Sequence, residues 1–324
     1  MNSTRSFAAK ALLAASFVII LSLAAFGQGS KLPDIKMQPK PPMSVAVGNN
    51  LYCAGYIDTA AISTTNKLIA GQNEADQFHY SQNSFMYINM GRDKGVNVGD
   101  VFAVVRPRGR VDSKWTNKKV GHFVQELGAL EVVDVKQNVS VVRVKFSCDD
   151  FLLGDLVQLV EKRTSPIYEQ RPPLDIFGDP SGKATGRILM ARDNAEALAR
   201  DFVAYVDLGA DDHVRIGDRM TVFRPIQRGN LTLEPHHEDV SSKDYGFHSD
   251  VYSGGTFSNQ STRKTGENAD KKETNTYKVR KERPSDLRKV VGEAIVLNVK
   301  EKTATIVITR NAQEIHTGDW VEIQ

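Results

Sequence analysis

The sequence predicts an all-β protein made of two tandem small antiparallel β-barrel modules, and three observations predict it. The first is an internal repeat. Tyr87-Ile-Asn-Met-Gly-Arg-Asp-Lys-Gly-Val-Asn-Val-Gly-Asp100 reappears 118 residues on as Tyr205-Val-Asp-Leu-Gly-Ala-Asp-Asp-His-Val-Arg-Ile-Gly-Asp218. Both copies run through an apolar stretch to Arg-Pro, at Arg106-Pro107 and Arg224-Pro225. A second gapless match, at an offset of 164, pairs Gly128–Leu159 with Gly292–Ile323. A repeat on this scale governs the whole fold and is read before any motif. The second observation is alternation of apolar and polar residues, as in Ala304, Ile306 and Ile308 against Thr305, Val307 and Thr309. Period-two runs bounded by turn residues read as antiparallel strands. The third is a Gly-Asp pair before a strand, four times over: Gly99-Asp100, Gly154-Asp155, Gly217-Asp218 and Gly318-Asp319.

Each Gly-Asp pair reads as a structural turn. Glycine supplies the positive φ of a tight turn, and the aspartate side chain accepts hydrogen bonds from the turn's N–H groups. The hairpins follow. Glu293–Val299 and Thr303–Thr309 flank Lys300-Glu301-Lys302, and the first copy has Ala129–Val135, Lys136-Gln137-Asn138 and Val139–Phe146. Lead-in strands are expected near Lys67–Gly71 and Gly186–Ala191, which makes about six strands per module and suits a small closed barrel.

The offsets differ by 46 residues, so the second copy carries an insertion. Between Arg228 and Leu287 aliphatic residues nearly vanish while Ser, Thr, Asn, Gly and mixed charges dominate. Such a stretch cannot bury enough apolar surface to offset the entropy of ordering it, and about 240–285 is expected to be disordered. Its aromatics Tyr245, Phe247, Tyr252 and Phe257 leave open a loop that orders on a partner.

The N-terminus carries an address. Arg5 and Lys10 precede the apolar run Ala11–Phe26, and Ala25-Phe26-Gly27 offers small residues at a cleavage site. This three-part pattern is that of a secretory signal peptide; the run is short for a spanning helix, and an uncleaved anchor is the alternative. Export to the periplasm or cell envelope follows, with membrane attachment only through an uncleaved signal. The resulting organisation is a signal peptide at 1–27, a Pro-rich linker at 28–44, a first module with its lead-in strand at 45–162, an inter-module linker at 163–184, and a second module at 185–324.

Removing the signal lowers the formal charge from +3 to +1, so no nucleic-acid partner is called for. Two cysteines, Cys53 and Cys148, make either a disulfide or two separately buried thiols. Cys53 lies in Leu51–Ile57, which reads as a strand. No nucleophile elbow, phosphate loop, His-Glu-x-x-His or Cys-x-x-Cys is present. No enzyme, cofactor, metal site or small-molecule substrate is therefore expected. His236, His237 and His248, beside Glu238 and Asp239, read as surface histidines of the insertion rather than ligands. The basic stretch Lys278–Lys289 reads as solvated.

One resemblance can be stated on these residues. Tyr205-Val-Asp-Leu-Gly through Val214-x-Ile-Gly-Asp-x-Met-x-Val-x-Arg224, with Val291-Gly-Glu-Ala, Thr303-Ala-Thr and Gly318-Asp-x-Val downstream, resembles the C-terminal domain of flagellar assembly protein T. The resemblance covers each module separately and implies a small periplasmic β-barrel used for assembly contacts. The function expected is a structural or interaction scaffold of the envelope. The alternative is a polysaccharide- or peptidoglycan-binding module, for which Trp115, Tyr168 and Trp320 are the candidate aromatics, and a hydrolytic enzyme stands behind both.

Overall fold

A computed structural model describes residues 42–161, 163–226 and 282–324. The predicted signal, most of the Pro-rich linker, and the greater part of the predicted insertion with its histidines and four aromatics lie outside the described residues. Among the described residues, no helix is long and apolar enough to cross a membrane.

The chain is all-β. The first sheet uses β1 (Tyr56–Asp58), β2 (Leu68–Gly71), β3 (Phe85–Ile88), β4 (Val101–Arg110), β5 (His122–Val135), β6 (Ser140–Ser147) and β7 (Leu156–Leu159). Its order is β2-β3-β6-β5-β4-β7, with β1 added on β5. Its ends meet through the Lys67–Leu156 bridge and hydrogen bonds from Leu68 N to Asp155 O and from Gly154 N to Leu68 O. The second half carries β8 (Thr185–Ala191), β9 (Ala197–Leu198), β10 (Val203–Val206), β11 (Arg219–Pro225), β12 (Arg288–Val299), β13 (Ala304–Asn311), β14 (Ile315–His316) and β15 (Trp320–Ile323). Here β10-β13-β12-β11-β15-β8 form a closed barrel, and β9 pairs with β14.

The stretches 129–146 and 293–309, read as hairpins, are the β5–β6 and β12–β13 pairs. The same alternation fills both interiors. Met86, Ile88, Phe102, Val104, Leu130, Val132, Val142 and Val144 are buried, as are their repeat partners Ala204, Val206, Met220, Val222, Ala294, Val296, Ile306 and Ile308. Burying apolar side chains on one face of each strand is the main stabilising term for such sheets.

One local expectation is corrected. Leu51–Ile57 is not a continuous strand. Asn49–Tyr52 form one helical turn, α1, and β1 begins only at Tyr56. Gly48 and Gly55, with φ of 53° and 70°, break the extended chain on either side. The Gly55 turn passes so close to Tyr205 and Val124 that a Cβ would collide with them, a position only glycine tolerates.

Residues Ser44–Gln324 form one unit, because this lead-in packs between the two sheets. Ala46 and Leu51 cover Ile295, Leu297 and Val307 on the barrel's outer face. Tyr205 Oη donates to Ala54 O at 2.6 Å, Thr303 Oγ1 to Ile57 O at 2.5 Å, and Thr305 Oγ1 to Gly55 O at 3.1 Å. The outer faces of β10, β12 and β13 are thereby buried as well as the inner ones.

Candidate interaction surfaces

All four Gly-Asp glycines sit in the left-handed region, with φ of 90° (Gly99), 93° (Gly154), 91° (Gly217) and 88° (Gly318). Each aspartate accepts a hydrogen bond from the N–H three residues before it. Asp100 takes Asn97 N at 2.8 Å, Asp155 takes Leu152 N at 2.7 Å, Asp218 takes Arg215 N at 2.7 Å, and Asp319 takes His316 N at 2.7 Å.

The four are not equivalent, however. Asp100 and Asp218 cap half-exposed turns. Asp155 and Asp319 are buried and each is gripped by an arginine that donates twice, with all four N···O distances 2.7 Å: Arg106 to Asp155 and Arg224 to Asp319. The hydrogen bonds these arginines donate to the aspartates raise both guanidinium pKa values further, against burial. Sequence reasoning missed these clamps. The recurring Arg-Pro was the available signal, because the β4–β7 and β11–β15 pairings carry that arginine to the turn at the other strand's start.

Cys53 and Cys148 are joined in a disulfide, Cα to Cα 6.3 Å, which ties the lead-in to the end of β6. Beside it the buried Arg163–Glu126 pair holds the same corner, at 2.7 and 2.6 Å, and Glu126 also accepts Gly55 N at 3.0 Å. Burial works against the charge on Arg163, but Glu126 outweighs it and raises the arginine's pKa.

The candidate aromatics are engaged with cations. The Arg187 guanidinium lies 4.3 Å from the Trp320 ring and 5.3 Å from that of Trp115, which reaches over from the β4–β5 hairpin onto Gly318. Phe223 stacks on Trp320 at 6.3 Å, and Arg288 lies 4.7 Å from Phe223. The ladder follows the register, since β15 pairs Trp320 with Phe223 on one side and Arg187 on the other. Tyr168 sits apart, 6.0 Å from Arg200. The three rings therefore do not line one open groove.

The outer faces of the two sheets are finished differently. In the barrel, the segment Glu169–Lys183 lies across β11, β12, β13 and β15. Arg171 meets Glu293 at 3.2 Å and Gln324 at 2.7 Å, Arg310 donates to Pro172 O at 2.5 Å, and Arg219 to Glu169 at 2.9 Å. Arg288 pairs with Glu322 and reaches Gly178 O and Asp179 O. Burial would raise the Glu322 carboxyl, but the hydrogen bonds from Arg288 and the Ser181 backbone outweigh it and hold it below the usual carboxylate range. On the first sheet, the corresponding face is a cavity of about 350 Å³ whose apolar residues are flanked by Glu126, Lys145, Gln158, Glu161 and Arg163.

A wider cleft of about 520 Å³ lies between the β4–β5 hairpin and β8. Arg108, Arg110 and Arg192 line it, already engaged with Gln125, Asp112 and Asp193. Among the described residues, no cluster of three His, Cys, Asp or Glu side chains is placed to hold a metal.

The turns, clamps and covered faces define a class: a β-barrel chain whose polar groups tie strands, turns and crossing segments together. Residues 83–150, from just before β3 to just past β6, match the family of the flagellar assembly protein T C-terminal domain. The match falls on the first copy and includes Gly99-Asp100 and Arg106; it stops short of Gly154-Asp155. No curated protein matches the chain.

Proposed function

We propose that this chain is an exported, non-enzymatic scaffold of the bacterial envelope, working through the outer surfaces of its two β modules. The observation that carries the reading is where its polar side chains are spent. The shifted carboxylates, Glu131, Glu161 and Glu322, are all lowered by basic partners, the last two despite burial, and those partners are residues that fix strands and segments together. Catalytic acids and bases are tuned toward neutrality in a cleft, which is the opposite pattern. Similarity to an assembly domain over residues 83–150 supports the same reading. The apolar N-terminal run supports the envelope address.

The test is cross-linking in intact cells followed by fractionation and sizing. A scaffold enters a discrete envelope assembly of higher mass. A chain that stays alone and cosediments with purified peptidoglycan sacculi belongs to the polysaccharide-binding reading instead.

A further inference from the structure

The repeat lets one copy report on the other. The barrel face formed by Arg219, Thr221, Glu293, Arg310 and Gln324 is covered by the chain's own extended segment, with Arg171 at the Glu293 carboxylate. At the repeat-equivalent positions the first sheet carries Val101, Ala103, Ala129, Phe146 and Val160. Every polar residue of the seat is replaced by an apolar one. These five line the cavity of about 350 Å³, with the ring of Tyr52 at its rim and the polar Glu126, Lys145, Gln158, Glu161 and Arg163 around them. That volume falls in the usual range of ligand clefts, roughly 300–1,000 Å³.

The contrast with a neighbouring face sharpens the point. The barrel's Ile295 and Val307 are covered by the lead-in, and their first-sheet counterparts are Glu131 and Arg143, an exposed ion pair at 2.9 Å. That face has been made polar and needs no cover. The Ala129–Phe146 face has been made apolar: Ala129 is buried, the Tyr52 ring packs on Phe146 at 5.7 Å, and the cavity remains beside them.

We propose that this groove is a docking site for an extended segment of a partner protein, seated as residues 169–176 are on the barrel and presenting an apolar side chain where that segment presents Arg171. The proposal deepens the scaffold reading by naming a surface and the chemistry of its partner. An extended peptide is the occupant because that is what the same face of the same module carries in the second copy. An apolar anchor follows because Ala129 offers no carboxylate to a buried cation, the cavity's own carboxylates Glu126 and Glu161 are already paired with Arg163 and Lys300, and a charge buried without a partner is strongly disfavoured.

The test uses the full chain and two synthetic peptides copying residues 168–177, one native and one carrying R171L. Fluorescence anisotropy should show the R171L peptide binding at least about tenfold tighter than the native one, the scale on which an unpaired charge is rejected. Phe146→Arg, at a half-buried position, should abolish that binding while leaving the melting temperature close to the parent's. Ala129→Glu combined with Phe146→Arg, which installs the barrel's pair, should reverse the preference in favour of the native peptide. Equal affinity for the two peptides, no binding of either, or binding that survives Phe146→Arg would overturn the proposal. So would self-association of the chain that Phe146→Arg breaks, since the occupant would then be a second copy. Failure here leaves the envelope-assembly experiment standing, and the two ideas fall separately.

Discussion

Asp218 and Asp319 read alike in the sequence, and the structure predicts that their loss costs very different amounts. Asp218→Ala removes one carboxylate cap, on Arg215 N, at a half-exposed turn. A lost cap of this kind costs about 0.5–1 kcal/mol. Asp319 is fully buried, and its removal takes away the His316 cap and both hydrogen bonds from Arg224. Breaking a buried pair costs roughly 3–5 kcal/mol because the remaining charge is stranded. Arg224 is a quarter exposed and keeps Glu314 O at 2.6 Å, which brings the expectation to about 2–4 kcal/mol. For a chain of this size that is a fall in melting temperature of about 5–10 °C, against about 1–3 °C for Asp218→Ala. Scanning calorimetry on both variants decides it. Adding Arg224→Leu to Asp319→Ala should cost little more than Asp319→Ala alone, since the stranded guanidinium goes with it. Equal shifts for the two single variants, or strictly additive losses in the double, would refute the clamp argument.

Three further outcomes are expected. Cys53→Ser with Cys148→Ser should lower stability by about 3–5 kcal/mol, the chain-entropy scale for a bond spanning 95 residues, read from urea unfolding with and without reductant. Replacing residues 228–285 with a short turn should leave the melting temperature within about 3 °C of the parent's, because Pro225 already pairs with Arg288 and Ile226 N donates to Leu287 O, and closure depends only weakly on loop length. The Glu322 carboxyl is held low in the folded chain, so its stabilisation is whole above the unfolded value of about 4.3 and is lost as pH falls through the lower folded value. Glu322→Gln should therefore be less stable than the parent at pH 7 and approach it near pH 3; a gap that stays constant across that range would rule the linkage out.

The interior of this fold was legible because interior residues obey a local rule. Val142 and Val144, or Ile306 and Ile308, face inward by alternation alone, and Gly217 and Gly318 announce turns by the φ they must adopt. What was not legible depends on positions distant in sequence. Arg106 reaches Asp155 only because β4 lies beside β7, and alternation carries no register between strands 50 residues apart. The lead-in read as a strand because Leu51-Tyr-Cys is apolar; its cover role at Ile295 and Val307, some 250 residues on, breaks it at Gly48 and Gly55 instead. Trp115, Tyr168 and Trp320 are candidate aromatics by residue type alone, while the pairing of β15 with β8 gives Trp320 a guanidinium partner.

The two copies diverge on their outer faces while keeping their interiors apolar at nearly every paired position, with Ser140 standing where the barrel has Ala304. Met86 and Ala204, or Phe102 and Met220, differ in size but all stay buried, as a packed barrel requires. Outside, Ala129 faces Glu293 across the repeat, Phe146 faces Arg310, Glu131 faces Ile295, and Arg143 faces Val307. These changes reverse polarity, and they come in touching pairs: Glu131 with Arg143, and Glu293 with Arg310. In three of the four neighbourhoods the polarity suits what is there, whether solvent, the lead-in or the linker. The groove of Ala129 and Phe146 is the fourth. A half-buried apolar face beside an open cavity lacks the ion pair that finishes the neighbouring face at Glu131–Arg143, and the repeat would be expected to place such a pair here unless the cavity meets a partner.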